Sequence, residues 1–353
     1  MNLDFLEQLL QSLGPTGFEQ EVAALWLAQA RTFAEQVDAD RHGNVYATIN
    51  PGGSPRLMLA GHMDEIGVIV SHIDDNGFIW FKALGGWDPQ VLVGQRLRFK
   101  GPRGEVCGVV GRKAIHLLEP EEREKAVKLK TLWADIGAKD GQEAREWLEV
   151  GSIGVIDQPF RYLLGRRLVS KAIDNRIGAF IVLEALHQAK ALGVEAQVTA
   201  VATVQEEIGA YGARTAAFRL EPDTALVVDV THCSAAPEMD KKLVGEGALG
   251  KGGVLDIGPF AHPKVVARLR QIAQTHGIPH TLEAHAGYSG TDADEIALVR
   301  EGIPTAILSV PNRYMHSPSE MIDLDDVEHI VRWLALYAQN PLSTGELLRL
   351  EVG

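Results

Sequence analysis

The sequence predicts an α/β protein in which a mixed, mainly parallel sheet carries helices on both faces and is interrupted by a small β-rich unit. Toward both ends of the chain, apolar β-branched runs alternate with amphipathic helical stretches, the pattern of strand–helix–strand units around a parallel sheet. From Gly67 to about Leu164 that alternation gives way to short strands separated by turns. With 353 residues and 46% hydrophobic content, the chain is also too long for one ordinary core. These observations divide it into a main domain, residues 1–67 and 165–353, and an inserted domain, residues 68–164.

In chain order, Leu3, Phe5, Leu6, Leu9, Leu10 and Leu13 recur at helical spacing and stop at Gly14-Pro15. Phe18 to Ala34 repeats the pattern, with Val22, Leu25, Trp26, Ala30 and Phe33 on one stripe. Asp40 to Asn44 is a polar turn before a short strand, Val45 to Ile49, and Arg56 to Gly61 reads as a buried strand. Val68 to Val70, Phe78 to Phe81, Arg96 to Phe99 and Val106 to Val110 are the strands expected of the insertion. Its Glu- and Lys-rich segment, Pro120 to Lys130, is a solvated surface. Ser170 to Arg176 opens a long helix with Ile177, Phe180, Ile181, Leu183 and Leu186 inward. Strands are then expected at Val198 to Val204, Thr224 to Val230 and Thr305 to Val310, and helices at His262 to Gln274 and from Leu324 onward. Two Gly-rich segments, Gly245 to Gly258 and Ala286 to Asp294, lack the features of phosphate-binding loops and read as loops near a substrate.

Composition narrows the function. A formal net charge of −13 without a basic run argues against nucleic-acid binding, because nothing would neutralise the phosphates. No apolar run approaches the ~18 residues of a membrane span, and the N-terminal stretch lacks the basic and apolar regions of a secretory signal. Cys107 and Cys233 are the two cysteines and form no CxxC pair, so a cytoplasmic, reducing location is expected.

The residues able to do chemistry stand where the strands stop. Val198 to Val204 runs into Glu206 and Glu207; neighbours on an extended chain point opposite ways, so one can hold a metal while the other handles protons. His62 and Asp64 follow the Arg56 strand two residues apart, placing a carboxylate beside an imidazole whose tautomer it can fix. Asp229 interrupts a buried strand, where an unpaired carboxylate is costly and calls for a cation or donor. Asp174 begins a helix and His316 follows a strand. Each has an ordinary structural explanation alone, Asp174 as a helix cap, for example. Parallel strands, however, bring their C-terminal ends to one edge, so all five ligands converge if the fold is as expected. Two imidazoles and three carboxylates suit two zinc-like ions that activate a shared water.

The segments AGHMDEIG, KAIDNRIG, VQEEIGAYGA, VVDVTH and YMHSPSE, in this order, resemble the TET, or glutamyl/deblocking, aminopeptidases of the forty-second metallopeptidase family. The resemblance extends through SLGPTGFEQEV and the loops at Gly247 to Gly252 and Ser289 to Ala293. It implies His62, Asp174 and Asp229 at one ion, Asp174 bridging to a second ion at Glu207 and His316, Glu206 as general acid/base and Asp64 orienting His62. It further implies a zinc-aminopeptidase-like main domain, a PDZ-like β-barrel insertion and two divalent ions per chain, zinc or cobalt, with manganese acceptable to the same ligands. Short peptides are the implied substrates, and the implied assembly is a homo-oligomer, from a dimer up to a tetrahedral dodecamer. Gly290 and Thr291 fall in the substrate loop, and Lys251 and Arg313 are candidates for a basic pocket by their loop positions. Ser289 and Asp294 depart from the family pattern and leave the preferred N-terminal residue open.

Two other classes make different demands. A glycosidase needs two carboxylates ~5 to 9.5 Å apart and no metal. A non-catalytic assembly protein needs no Glu206 at all.

Overall fold

The computed structural model describes residues 1–349. Helices Leu3–Gln11 and Gln20–Ala30 open the chain, the first capped by the Asn2 side chain accepting from the Phe5 amide. The hairpin β1 (Gln36–Ala39) and β2 (Val45–Ile49) leads to β3 (Arg56–His62). Six strands then depart from the main sheet: β4 (Gly67–Ile73), β5 (Ile79–Leu84), β6 (Arg96–Gly101), β7 (Gly104–Gly111), β8 (Trp133–Asp135) and β9 (Ile153–Ile156). They close into an antiparallel barrel in the order β4-β5-β8-β7-β6-β9. Alternate side chains fill it: Val68 and Val70 on β4, Ile79 and Phe81 on β5, Leu97 and Phe99 on β6 are all buried in one cluster.

The chain returns through β10 (Arg161–Tyr162) and β11 (Arg167–Ser170), then the long helix Ile173–Leu192. Next come β12 (Gln197–Thr203), β13 (Thr224–His232), β14 (Gly253–Ile257), β15 (His280–Ala284), β16 (Thr305–Asn312) and β17 (Glu320–Asp323). The main sheet has the order β1-β2-β12-β3-β13-β16-β14-β15, while β10, β11 and β17 form a separate small sheet. Its centre, β12-β3-β13-β16, is parallel; β2 and β14 join it antiparallel. The two N-terminal helices, Ile173–Leu192, Pro263–His276 and Leu324–Gln339 cover one face, and Tyr211–Leu220 with Asp292–Ile296 cover the other.

One expectation fails here. Gly245 to Gly258 reads as a loop in the sequence, yet Gly253–Ile257 is a strand whose Val254 and Leu255 are fully buried. Three apolar residues broken by an aspartate and flanked by glycines are too short a signal; pairing with β15 and β16 makes the strand.

Two glycines set the seat of the long helix. A Cβ on Gly61 would fall 2.5 Å from the Gly178 carbonyl carbon, and one on Gly178 would fall 2.7 Å from the Val228 oxygen. Bare backbone at these positions lets the start of the helix rest on β3 and β13, beside His62 and Asp229.

Asp326, buried on the closing helix, accepts from the amides of Gly250 and Gly252 at 2.7 and 2.6 Å and holds the loop that precedes β14. Burial pushes its carboxyl up to about 7 against these donors. Because the folded value exceeds the ordinary 3.8, the native state binds the extra proton between the two values. That stabilisation is complete below the lower value and is lost as pH rises through the upper one. Asp326→Asn leaves two amides with one oxygen and is expected to destabilise the fold by ~1–3 kcal/mol. Thermal melts should show the gap from the parent narrowing between pH 5 and pH 8.

Among the described residues no helix is long and apolar enough to cross a membrane, and both cysteines are free.

Candidate metal centre

The parallel strands β12, β3 and β13 open their C-terminal ends into one crevice, with β3 in the middle and its successors on either side. This is where open α/β sheets hold ligands. His62 ends β3, Glu206 and Glu207 follow β12, and Asp229 lies near the end of β13. Asp174 at the head of the long helix and His316 beyond β16 complete the lining of a cleft of about 450 Å³.

Asp174 is the hinge of the cluster. Its Oδ1 lies 3.3 Å from His62 Nε2, and its Oδ2 lies 3.1 Å from His316 Nε2. Glu207 Oε1 is 3.3 Å from His316 Nε2; Asp229 Oδ1 and Glu206 Oε2 are 3.9 and 3.7 Å from His62 Nε2. Ligand atoms of His62, Asp174 and Asp229 therefore form one group within 4.8 Å, and those of Asp174, Glu207 and His316 form a second.

Neighbouring groups fix these side chains. Asp64, fully buried, takes the Glu206 and Glu207 amides on its two oxygens at 3.2 and 3.1 Å and lies 3.3 Å from His62 Nδ1. Glu320 accepts from the amides of Asp174 and His316 at 2.8 and 2.9 Å, joining residues far apart in sequence. His316 Nδ1 meets the Gly86 carbonyl at 2.9 Å, a backbone group of the segment that follows β5. With that nitrogen occupied, Nε2 is the one turned to the carboxylates.

Two local expectations are corrected. Asp174 does not cap its helix: it has non-helical backbone angles, and Asn175 Oδ1 accepts the Gly178 amide instead, freeing both Asp174 oxygens for the imidazoles. Glu206 and Glu207 do diverge, one toward His62 and one toward His316, but from a 3₁₀ turn after Gln205 at φ +58° rather than from extended chain. Ala172, Gln205 and His316, all non-glycine, adopt positive φ around the cleft. Left-handed backbone is unfavourable for such residues and gathers where a site needs it.

The electrostatics favour cations. Burial pushes the Glu206 carboxyl up to about 10, although His62 pulls the other way. It also raises Asp229 well above the carboxylate range. Burial opposes the charged form of His316, yet Asp174 and Glu207 push it up to about 11. Too many carboxylates thus compete for too little positive charge. Buried Glu207 Oε1 and His62 Nδ1 have no hydrogen bond of good geometry. Among the described residues neither lysine nor arginine lines the cleft. A set of N and O donors of this kind, short of positive charge, fits divalent ions.

Gly290 and Thr291 line the same cleft, but Lys251 and Arg313 do not. The Arg313 guanidinium instead donates to the Ala235 carbonyl. Asp294 takes the Ser289 and Gly290 amides on its carboxylate and so shapes the loop from behind. Sequence reasoning missed Glu320, the Gly86 carbonyl, and a further set on the cleft wall, Asp256, Glu283 and His285. Glu320 closes the YMHSPSE segment and was visible there; the others carry no local signal.

A parallel-centred sheet with imidazoles and carboxylates gathered at its strand ends, interrupted by a barrel, is the architecture of a class of α/β peptidases. The family model described as M42 glutamyl aminopeptidase matches residues 43–333. The chain is 36% identical to the lysyl aminopeptidase of Pyrococcus furiosus over 333 residues, 93% of this chain and 94% of the relative. Among solved structures, a TET aminopeptidase from a marine-sediment Thaumarchaeota archaeon superposes with a TM-score of 0.93 at 34% identity, covering 98% of this chain and 97% of that one. The TET1 peptidase of Pyrococcus horikoshii, which can assemble into a tetrahedron or a large octahedral shell, superposes at 0.85 with 28% identity, covering 96% and 99%. The chain belongs to the M42 peptidase family, a family of aminopeptidases.

Proposed function

We propose that this chain is a metal-dependent aminopeptidase that removes N-terminal residues from short peptides at two divalent ions. One observation carries the reading: a single carboxylate, Asp174, reaches both His62 and His316, so two ligand groups share a bridge. His62, Asp174 and Asp229 would hold one ion and Asp174, Glu207 and His316 the other. Zinc, cobalt and manganese all suit these N and O ligands.

When bound, such ions acidify a water and polarise the scissile carbonyl. The remaining steps belong to the protein. Glu206 belongs to neither of the two ligand groups that share Asp174, and its desolvation makes it a stronger proton acceptor than an exposed glutamate. It takes the proton from the attacking water and returns it to the departing amine nitrogen. Asp64 keeps the His62 ring in place and, through the two glutamate amides, the turn that carries Glu206. The substrate's own amino group lies among the carboxylates, and Gly290 and Thr291 border the peptide.

Residues 1–67 and 165–353 form the catalytic domain in this reading, and the inserted domain, residues 68–164, serves assembly. The exposed Val109, Ile115 and Leu117 give that domain apolar surface for a second copy, in a homo-oligomer within the cytoplasm. Exhaustive dialysis against a chelator is expected to abolish hydrolysis of a leucyl anilide, with recovery on adding zinc or cobalt and no activity on cellulose at any stage. Full activity in the metal-free protein would refute the reading.

A further inference from the structure

The strands that feed the candidate metal centre all belong to the main sheet, yet three residues of the barrel reach it as well. Residues 85–87, Gly-Gly-Trp, follow directly on β5. Their contacts fall on one of the two ligand groups. The Gly86 carbonyl oxygen lies 2.9 Å from His316 Nδ1. Gly85 packs so closely on Glu207 that a Cβ there would stand 3.2 Å from Glu207 Oε2 and 2.6 Å from Ile66 Cγ2. Its φ of +79° is a left-handed backbone that glycine adopts without strain. His62 and Asp229, the ligands peculiar to the other group, take their polar contacts from the main domain, from Asp64, Asp174, Glu206 and the Val230 amide.

His316 needs such a contact. It lies in a loop with φ +57°, and its side chain is 35% exposed, against 2% for His62. Close packing orients the buried imidazole, whereas the His316 ring depends on what its Nδ1 meets. A carbonyl there accepts the Nδ1 proton and leaves Nε2 for an ion.

That carbonyl is pinned in its turn. Trp87 Nε1 donates to the Gly67 carbonyl at 2.8 Å, tying the segment to the first residue of β4. The indole packs against the apolar cluster of the barrel. It also lines a small cavity together with Asp174, His316 and Glu320, behind the metal ligands.

We propose that residues 85–87 of the barrel are a positioning element for the ion held by Asp174, Glu207 and His316, with Trp87 as the anchor. The barrel then builds one metal site and leaves the other to the main domain. This goes beyond the assembly role given to the insertion above and rests on the two-ion reading.

The test is calorimetric titration of the metal-free chain with zinc. Trp87→Phe keeps an aromatic ring on the apolar cluster and deletes the donor to Gly67. Losing a group that orients a metal ligand costs ~10–100-fold in affinity, so one of the two zinc-binding steps should weaken by about that factor while the other keeps the parent value. Gly85→Ala, whose Cβ would meet Ile66 and Glu207, should shift the same step. In Glu207→Gln the remaining strong step belongs to His62, Asp174 and Asp229, and adding Trp87→Phe should leave it unchanged. Trp147→Phe is the control: Trp147 packs on the same apolar cluster and is absent from the residues lining that cavity. A general loosening of the barrel would move both tryptophan variants alike.

Equal weakening of both steps in Trp87→Phe, no weakening of either, a weaker strong step in the double variant, or the same shift in Trp147→Phe would each overturn the proposal. The parent titration is read first and separately. Fewer than two zinc ions bound there would sink the two-ion reading itself, whereas two ions with a silent Trp87→Phe would sink the positioning role alone.

Discussion

Glu206→Gln is expected to lower kcat by ~10²–10⁴-fold, the usual contribution of a positioned acid/base, while both metals stay bound. The amide has the same shape as the carboxyl, and its backbone N–H still donates to Asp64. What disappears is the group that, in the proposed mechanism, would accept a proton from water and deliver it to the leaving nitrogen. KM should change much less than kcat, because the substitution removes an interaction made in the transition state. Metal analysis beside steady-state kinetics checks both halves. A variant with parent activity would remove Glu206 from the mechanism.

Asp174→Asn should act on the metals themselves. Asp174 is the residue that reaches both imidazoles, at 3.3 and 3.1 Å, and an asparagine offers one oxygen and one N–H donor in its place. In the proposed arrangement each of the two ions would lose a ligand together with its negative charge. The expected loss in affinity for both exceeds the ~10–100-fold seen when a residue that merely orients a ligand is changed. Glu207→Gln, by contrast, should weaken one ion and spare the other. Titration of the metal-free proteins with zinc separates the two results: a Glu207 variant that loses both ions, or an Asp174 variant that keeps both, would contradict the shared-bridge arrangement. Thermal melts without metal guard against misfolding, since neither residue belongs to a hydrophobic cluster.

Much of the main domain was legible because its signals are local. Buried runs such as Thr224 to Val230 and the stripe from Ile177 to Leu186 identify themselves by period and composition. The change to short strands after Gly67 marks the barrel for the same reason. Asp229 was legible as an anomaly, a carboxylate within a buried strand. Where the glutamates point was also foreseen, although a tight turn after Gln205 achieves it rather than strand alternation.

Asp256, Glu283 and His285 were not legible. Asp256 lies in a segment whose glycines suggest a loop, and Gly253–Ile257 becomes a strand through its neighbours β15 and β16. Glu283 and His285 look like solvated residues on an unremarkable stretch. Lys251 and Arg313 show the converse: their loop positions suggested a pocket, but the Arg313 guanidinium turns to the Ala235 carbonyl.

Sequence alone thus determined the architecture and which strand ends bear imidazole or carboxylate, since hydrophobic period and composition are properties of consecutive residues. Tertiary structure decided which of those groups meet. The closeness of His62 to His316 through Asp174, the Gly86 carbonyl on the His316 ring and the carboxylates on the far wall of the cleft all depend on segments separated by long stretches of chain. Distances of that kind are set by the packing of the long helix on Gly61 and by the pairing of β14 and β15, and no local pattern encodes them.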